Sequence, residues 1–200
     1  MKYDFFAFIG RMKYIVRWSL MRNSERENIQ EHSHMVACIA HALGLIRRDV
    51  FGLECDPGEQ AAIALYHDAG EILTGDLPTP IKYHSRRIKS AYDEVENLAC
   101  SKLLATLPEE MRGSYAELFA APADSRRYEL VKAADKISAY IKCVEERKAG
   151  NREFASAEQS TLRSLQQSPL PEVHYFMEHF LEAFEKNLDE LGTQIGRAHV

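Results

Sequence analysis

The chain has no apolar run near the roughly 20 residues that a bilayer crossing needs. Its first twenty residues carry Asp4, Arg11, Lys13 and Arg17 through the apolar stretch, unlike a secretory signal. These two features lead us to expect a cytoplasmic protein with no membrane partner. The four cysteines, Cys38, Cys55, Cys100 and Cys143, are far apart and form no Cys-x-x-Cys, which argues against a zinc ribbon and a dithiol redox motif. Reduced, structural thiols are expected. Alternating β-branched runs flanked by hairpin turns are missing. No Pro/Gly/Ser-rich linker, low-complexity block or internal repeat divides the chain. Residues 1–193 are therefore expected to form one domain, long enough to bury a substantial core. A net charge of -5 and the lack of a Lys/Arg stripe argue against a nucleic-acid polymer as partner. A small anionic ligand stays open, because it needs only a few cations in a cleft.

Helical periodicity is what the chain does have, and an all-α fold follows. Phe5, Ile9, Met12 and Val16 recur at helical spacing and predict a first helix ending near Trp18, then a loop over Asn23 to Asn28. Asn28 with Glu31 reads as a capping box. The helix after it carries His32, Val36, Ile39 and Leu43 on one inward stripe. Asp56-Pro57-Gly58-Glu59 supplies an N-cap, a proline at the first helical position and an acidic third residue. The helix it starts runs to His67-Asp68. Gly70, Gly75, Pro78 and Pro80 predict an irregular loop over Thr74 to Tyr83. Further helices are expected over Ser90 to Leu107, Pro108 to Ala120, Arg127 to Lys148, Glu153 to Leu165 and Pro171 to Leu191. The last has Val173, Phe176, Met177, Phe180, Phe184 and Leu188 as its apolar face. Gln194 to Val200 is expected to be a non-native tail, because it back-translates into a common sequencing-adapter end. Different codons in the encoding DNA would end that idea.

His67-Asp68 places an imidazole beside a carboxylate, and His32 upstream and Asp135 downstream complete an H…HD…D order. Two ring nitrogens and two carboxylates suit one intermediate divalent ion, manganese, iron, cobalt, nickel or zinc. Such an ion supplies Lewis acidity, which phosphate ester hydrolysis needs. Each residue also has an ordinary reading. An inward His is more often a hydrogen-bonded core residue, and Asp135, between Lys132 and Lys136, could be a solvated salt-bridge partner. The order and the adjoining loop favour the metal. His34 and His41 are expected to be packing or supporting groups. His84 is the one His between Asp68 and Asp135, which argues for a single metal. His174 and His179 are expected at the surface.

RWSLMRN, ENIQEHS, YHDAGEILTGDLPTPIKY, VKAADKISAYIKCVEE and YFME, in that order, resemble the bacterial HD-domain 5′-deoxynucleotidases of the YfbR-like family across almost the whole chain. The resemblance implies an HD-domain helical bundle, a homodimer, and metal-dependent hydrolysis of deoxyribonucleoside 5′-monophosphates to nucleoside and phosphate. Cobalt is the ion it suggests in vitro, with manganese or zinc as alternatives. By position it implies His32, His67, Asp68 and Asp135 as metal ligands and Glu71 as the acid/base residue. Arg17 and Trp18 match a substrate-binding pair, and a guanidinium can grip phosphate through two parallel hydrogen bonds. Arg17 is thereby catalytic as well, and His32, Asp68 and Asp135 are expected to touch substrate. Asp76, Leu77, Pro78 and Thr79 match the loop over the nucleoside, with Asp76 reaching the sugar 3′-hydroxyl and a wall made with Trp18 excluding a 2′-hydroxyl. Lys82 is a further candidate phosphate cation.

Two other readings compete. Another HD phosphohydrolase, a pyrophosphatase or phosphodiesterase, would use the same metal with a different pocket. A catalytically idle nucleotide sensor would have no chemical need for Glu71, Arg17 and all four ligands.

Overall fold

The structure, a computed structural model, describes residues 2–82 and 84–192. The suspected tail, 194–200, lies outside the described residues. Among the described residues ten α-helices follow in order: α1 Phe5–Ile9, α2 Ile29–Leu45, α3 Pro57–Tyr66, α4 Glu71–Thr74, α5 Thr79–Lys82, α6 Arg86–Ala105, α7 Glu109–Ala120, α8 Ser125–Lys148, α9 Ala155–Gln166 and α10 Pro171–His179. Among the described residues there is no strand, only one isolated antiparallel bridge between Val16 and Asn28. No helix of the described residues is long and apolar enough to cross a membrane.

The core lies between α2, α3 and α8. Val36, Ile39 and Leu43 from α2, Ile63 and Ala64 from α3, and Leu130, Ile137, Ile141 and Val144 from α8 are buried together, closed by Leu165 of α9 and Val173 and Phe176 of α10. Each fully buried Leu or Ile contributes about 2 kcal/mol by leaving water. At Gly44 a Cβ would meet the Pro57 Cα at 2.9 Å, so a residue without a side chain lets the start of α3 pack close to the end of α2. The capping signals form as the sequence predicts. Asn28 accepts from the N–H groups of Gln30 and Glu31, with Glu31 returning the bond, and Asp56 accepts from Gly58 and Glu59. These caps place His32 in the first turn of α2 and His67 at the end of α3.

Two predicted helices break. The apolar stripe of the first segment does not run to Trp18. Helix α1 stops at Ile9, a 3-10 turn covers Met12–Tyr14, and Ile15 is extended. The β-branched pair Ile15-Val16 crosses the start of α2 instead, with Arg17 N–H donating to Glu27 O at 2.9 Å and Ile29 N–H to Ile15 O at 3.0 Å. The last segment leaves the α conformation at Phe180, φ -123°, and continues as 3-10 turns over Leu181–Glu185 and Leu188–Glu190. Phe180 is 46% and Leu188 64% exposed, while Leu181 and Phe184 still pack against the core, and Asn187 caps a new turn. The loop expected over Thr74 to Tyr83 is irregular only through Pro78, after which α5 adds one helical turn.

Candidate active site

His32 and His67 commit one ring nitrogen each to the protein. His67 Nδ1 lies 2.6 Å from the Ala64 carbonyl, an acceptor, so in the neutral ring Nδ1 donates and the Nε2 lone pair is free. His32 Nδ1 lies 3.2 Å from Ser138 Oγ on α8. Both Nε2 atoms are buried without a hydrogen-bond partner. They face carboxylates: His32 Nε2 lies 3.0 Å from Asp135 Oδ1 and 3.7 Å from Asp68 Oδ2, and His67 Nε2 lies 3.2 Å from Asp68 Oδ2. The ligand atoms of His32, His67 and Asp135 all fall within 4.8 Å of one another. Buried polar atoms need a partner, and one divalent ion among these four residues would satisfy both imidazoles. The donor set fits a metal.

The charges are interlocked. Burial works against ionisation of Asp68, but His67, His32 and Arg17 hold its pKa well below the usual carboxylate range. Burial likewise opposes the charge on Asp135, and His32, His67 and Arg17 outweigh it downward. Burial would lower the His67 pKa, yet Asp68 and Asp135 lift it to about 9. The site thus retains ionised carboxylates for a cation.

Arg17 reaches this cluster from the extended segment, and Trp18 follows it in sequence. Arg17 is largely buried; one terminal nitrogen donates to Glu27 Oε2 at 2.7 Å and the other lies 3.9 Å from Asp135 Oδ1. Trp18 is the one non-glycine residue with positive φ among the described residues, at 57°. A bulky residue there is strained, a state that clusters at functional sites. Its indole packs edge-on against Phe154, 5.3 Å between ring centres.

A model of the family described as 5′-deoxynucleotidase YfbR-like matches residues 4–184. The chain belongs to that family. It is 44% identical over 191 residues to the 5′-deoxynucleotidase of Shewanella oneidensis, covering 95% of this chain and 98% of the relative. Against the 5′-deoxynucleotidase of Erwinia tasmaniensis the identity is 46% over 191 residues, covering 95% and 96%. The fold is that of HD-domain phosphohydrolases. An HD-domain phosphohydrolase from Listeria innocua superposes with a TM-score of 0.79 at 22% identity, covering 96% of this chain and 93% of the other. The cyanophage S-2L HD phosphohydrolase DatZ, solved with dA and one catalytic zinc ion, superposes at 0.60 with 24% identity, covering 88% and 95%.

In this family member Glu71 opens α4, is 7% exposed, and leaves its buried Oε2 without a partner. Burial first, then the charges of Asp68 and Asp76, push its pKa up to about 10 against the pull of Lys82 and Arg17. Asp76 is also raised, chiefly by burial, with Arg17 and the Trp18 backbone opposing. Leu77 and Pro78 are half-buried; the side chain of Thr79 lies outside the described residues. Lys82 donates to Glu96 Oε1 of α6 at 3.0 Å, over the Tyr92 ring at 4.5 Å, so its charge is already paired. His34 and His41 are exposed rather than packed, because their positions on α2 face away from α3 and α8. His84, His174 and His179 are exposed.

Sequence reasoning missed Ser138 and Glu27. Ser138 follows Asp135 by three residues on α8, and that spacing on one helix face could have flagged it. Glu27 had no local signal, since its contacts depend on the pairing of two segments.

Proposed function

We infer that the chain is a metal-dependent 5′-deoxynucleotidase, hydrolysing deoxyribonucleoside 5′-monophosphates to deoxyribonucleoside and phosphate. The observation that carries this is the convergence of the buried Nε2 atoms of His32 and His67 with Asp135 beside Arg17. His32, His67, Asp68 and Asp135 would hold the ion. A divalent ion there supplies Lewis acidity to the phosphoryl group. Cobalt is our choice in vitro, with manganese or zinc as alternatives.

Arg17 offers its Asp135-side nitrogen to the phosphate while Glu27 holds the other. Water adds to phosphorus and the bond to the 5′-oxygen breaks. Glu71, kept protonated by burial, gives its proton to that leaving oxygen and regains one from the attacking water. Asp76 hydrogen-bonds the sugar 3′-hydroxyl, and Trp18 with Leu77, Pro78 and Thr79 closes the pocket against a 2′-hydroxyl. His32, Asp68 and Asp135 border the bound phosphate. We place residues 1–193 in one cytoplasmic domain acting as a homodimer.

Product analysis tests the reaction. Metal-loaded protein given dAMP, dATP and a cyclic dinucleotide is expected to release inorganic phosphate from dAMP. Pyrophosphate from dATP, or an opened diester, with dAMP left intact would overturn the reading in favour of a pyrophosphatase or phosphodiesterase.

A further inference from the structure

One oxygen, Oε2 of Glu27, accepts hydrogen bonds from two side chains of the pocket: Arg17 at 2.7 Å and the Trp18 indole Nε1 at 3.2 Å. The backbone reinforces this, because Arg17 N–H donates to the Glu27 carbonyl at 2.9 Å. Glu27 is itself 16% exposed, so its carboxylate is held in place rather than sampling solvent. The Arg17 guanidinium also lies 5.9 Å from the Trp18 ring. The three side chains therefore form one unit with a single charged anchor.

We propose that Glu27 is a positioning residue that sets the phosphate grip and the deoxyribose selectivity together, by fixing Arg17 and Trp18 through one carboxylate oxygen. It rests on the pocket reading given above for Arg17 and Trp18. A planar guanidinium held at one nitrogen presents its remaining donors in a fixed direction. An indole held at Nε1 cannot swing away from a 2′-hydroxyl, so the wall stays rigid. Without the anchor, Arg17 would be free to turn toward Asp135, and the strained Trp18 backbone would lose a contact that holds it.

The test uses metal-loaded protein and the variants Glu27→Gln, Arg17→Ala, Trp18→Phe and Glu27→Gln with Trp18→Phe. Hydrogen bonds to charged groups are strong enough that Glu27→Gln is expected to raise KM for dAMP about tenfold, and to lower the dAMP over AMP ratio of kcat/KM about tenfold. Because Trp18→Phe removes the indole donor, adding Glu27→Gln to it should lower that ratio no further. Trp18 is the one tryptophan of the chain, so its emission reads the indole directly, and Glu27→Gln should shift it without substrate. Unchanged KM, ratio and emission, alongside weakened binding in Arg17→Ala and lost selectivity in Trp18→Phe, would overturn the role of Glu27 and leave the pocket reading intact. Silence of Arg17→Ala and Trp18→Phe themselves would overturn the pocket reading, and Glu27's role with it. Should Glu27→Gln fail to fold, Glu27→Asp keeps the charge but withdraws the oxygen by one methylene, and the same three readouts should move in the same directions.

Discussion

Ser138 Oγ lies 3.2 Å from Nδ1 of His32, one turn along α8 from Asp135, so a single helix supplies a carboxylate to the cluster and orients an imidazole within it. The partner of a ligating imidazole fixes the ring and its tautomer. Ser138→Ala is expected to weaken divalent-ion binding by about 10- to 100-fold while the fold persists. Calorimetric titration of the metal-free protein measures it, and an unchanged affinity would show that Ser138 only packs.

Glu71 combines burial with an unpartnered oxygen, a costly state that a purely structural carboxylate would avoid. Glu71→Gln is expected to keep metal and substrate binding but lose about 10²-fold or more in turnover, the low end of general acid–base help. Single-turnover kinetics with dAMP reads the chemical step. Near-parental rates would remove Glu71 from the mechanism.

The Trp18 backbone and Arg17 both pull the Asp76 pKa down against burial, so the residues of the sugar wall and of the loop over the nucleoside share one electrostatic environment. An apolar wall discriminates against one hydroxyl by only about 10²-fold. Asp76→Ala and Trp18→Ala are each expected to bring the dAMP and AMP specificities toward parity. If either variant discriminates as well as the parent, that residue does not form the wall.

Glu146 is a buried carboxylate with several donors: Lys142 Nζ, Asn151 Nδ2 at 2.6 Å and the Ser24 N–H at 2.8 Å. Lys142 also reaches the Glu25 carbonyl, so this cluster ties the loop before α2 to α8. Burial alone would raise the Glu146 pKa, but Lys142, Ser24 and Asn151 bring it down to about 2 from an ordinary 4.5. A depressed carboxylate pKa adds stability that is fully present above the unfolded value and is lost as pH falls toward the folded one. The protein should therefore lose this contribution between about pH 4.5 and pH 2. Glu146→Gln, which strands a buried Lys142, is expected to cost about 3 kcal/mol at neutral pH and to flatten stability across that acidic window. Urea titrations at stepped pH check both; a parental slope in the variant would contradict the assignment.

Much of the site was legible because its signals are local. The Asn28 to Glu31 box and the Asp56-Pro57 start each lie within a few residues, and they place His32 and His67. The predicted helix over Arg127 to Lys148 carries Asp135, which the H…HD…D order singles out. The first and last helices misled because spacing alone does not say what a stripe packs against. Phe5 and Met12 are buried, yet Ile15 and Val16 pair with the chain near Asn28, a contact no short window contains. Past Phe176 a 3-10 turn keeps Leu181 and Phe184 on the core while Phe180 and Leu188 turn outward. Lys142 and Glu146 look like an ordinary exposed pair four residues apart, and only tertiary structure reveals their burial beneath the loop 22–25. Glu27 was hidden for the same reason as the bridge that brings it to Arg17.

The most direct test of the central claim is phosphate release from dAMP and AMP by protein stripped with chelator and then resupplied with cobalt, manganese or zinc. We expect no release from the stripped protein, recovery on dAMP with a divalent ion, and little release from AMP. Release that survives chelation, or no release from dAMP with any of the three ions, would contradict it.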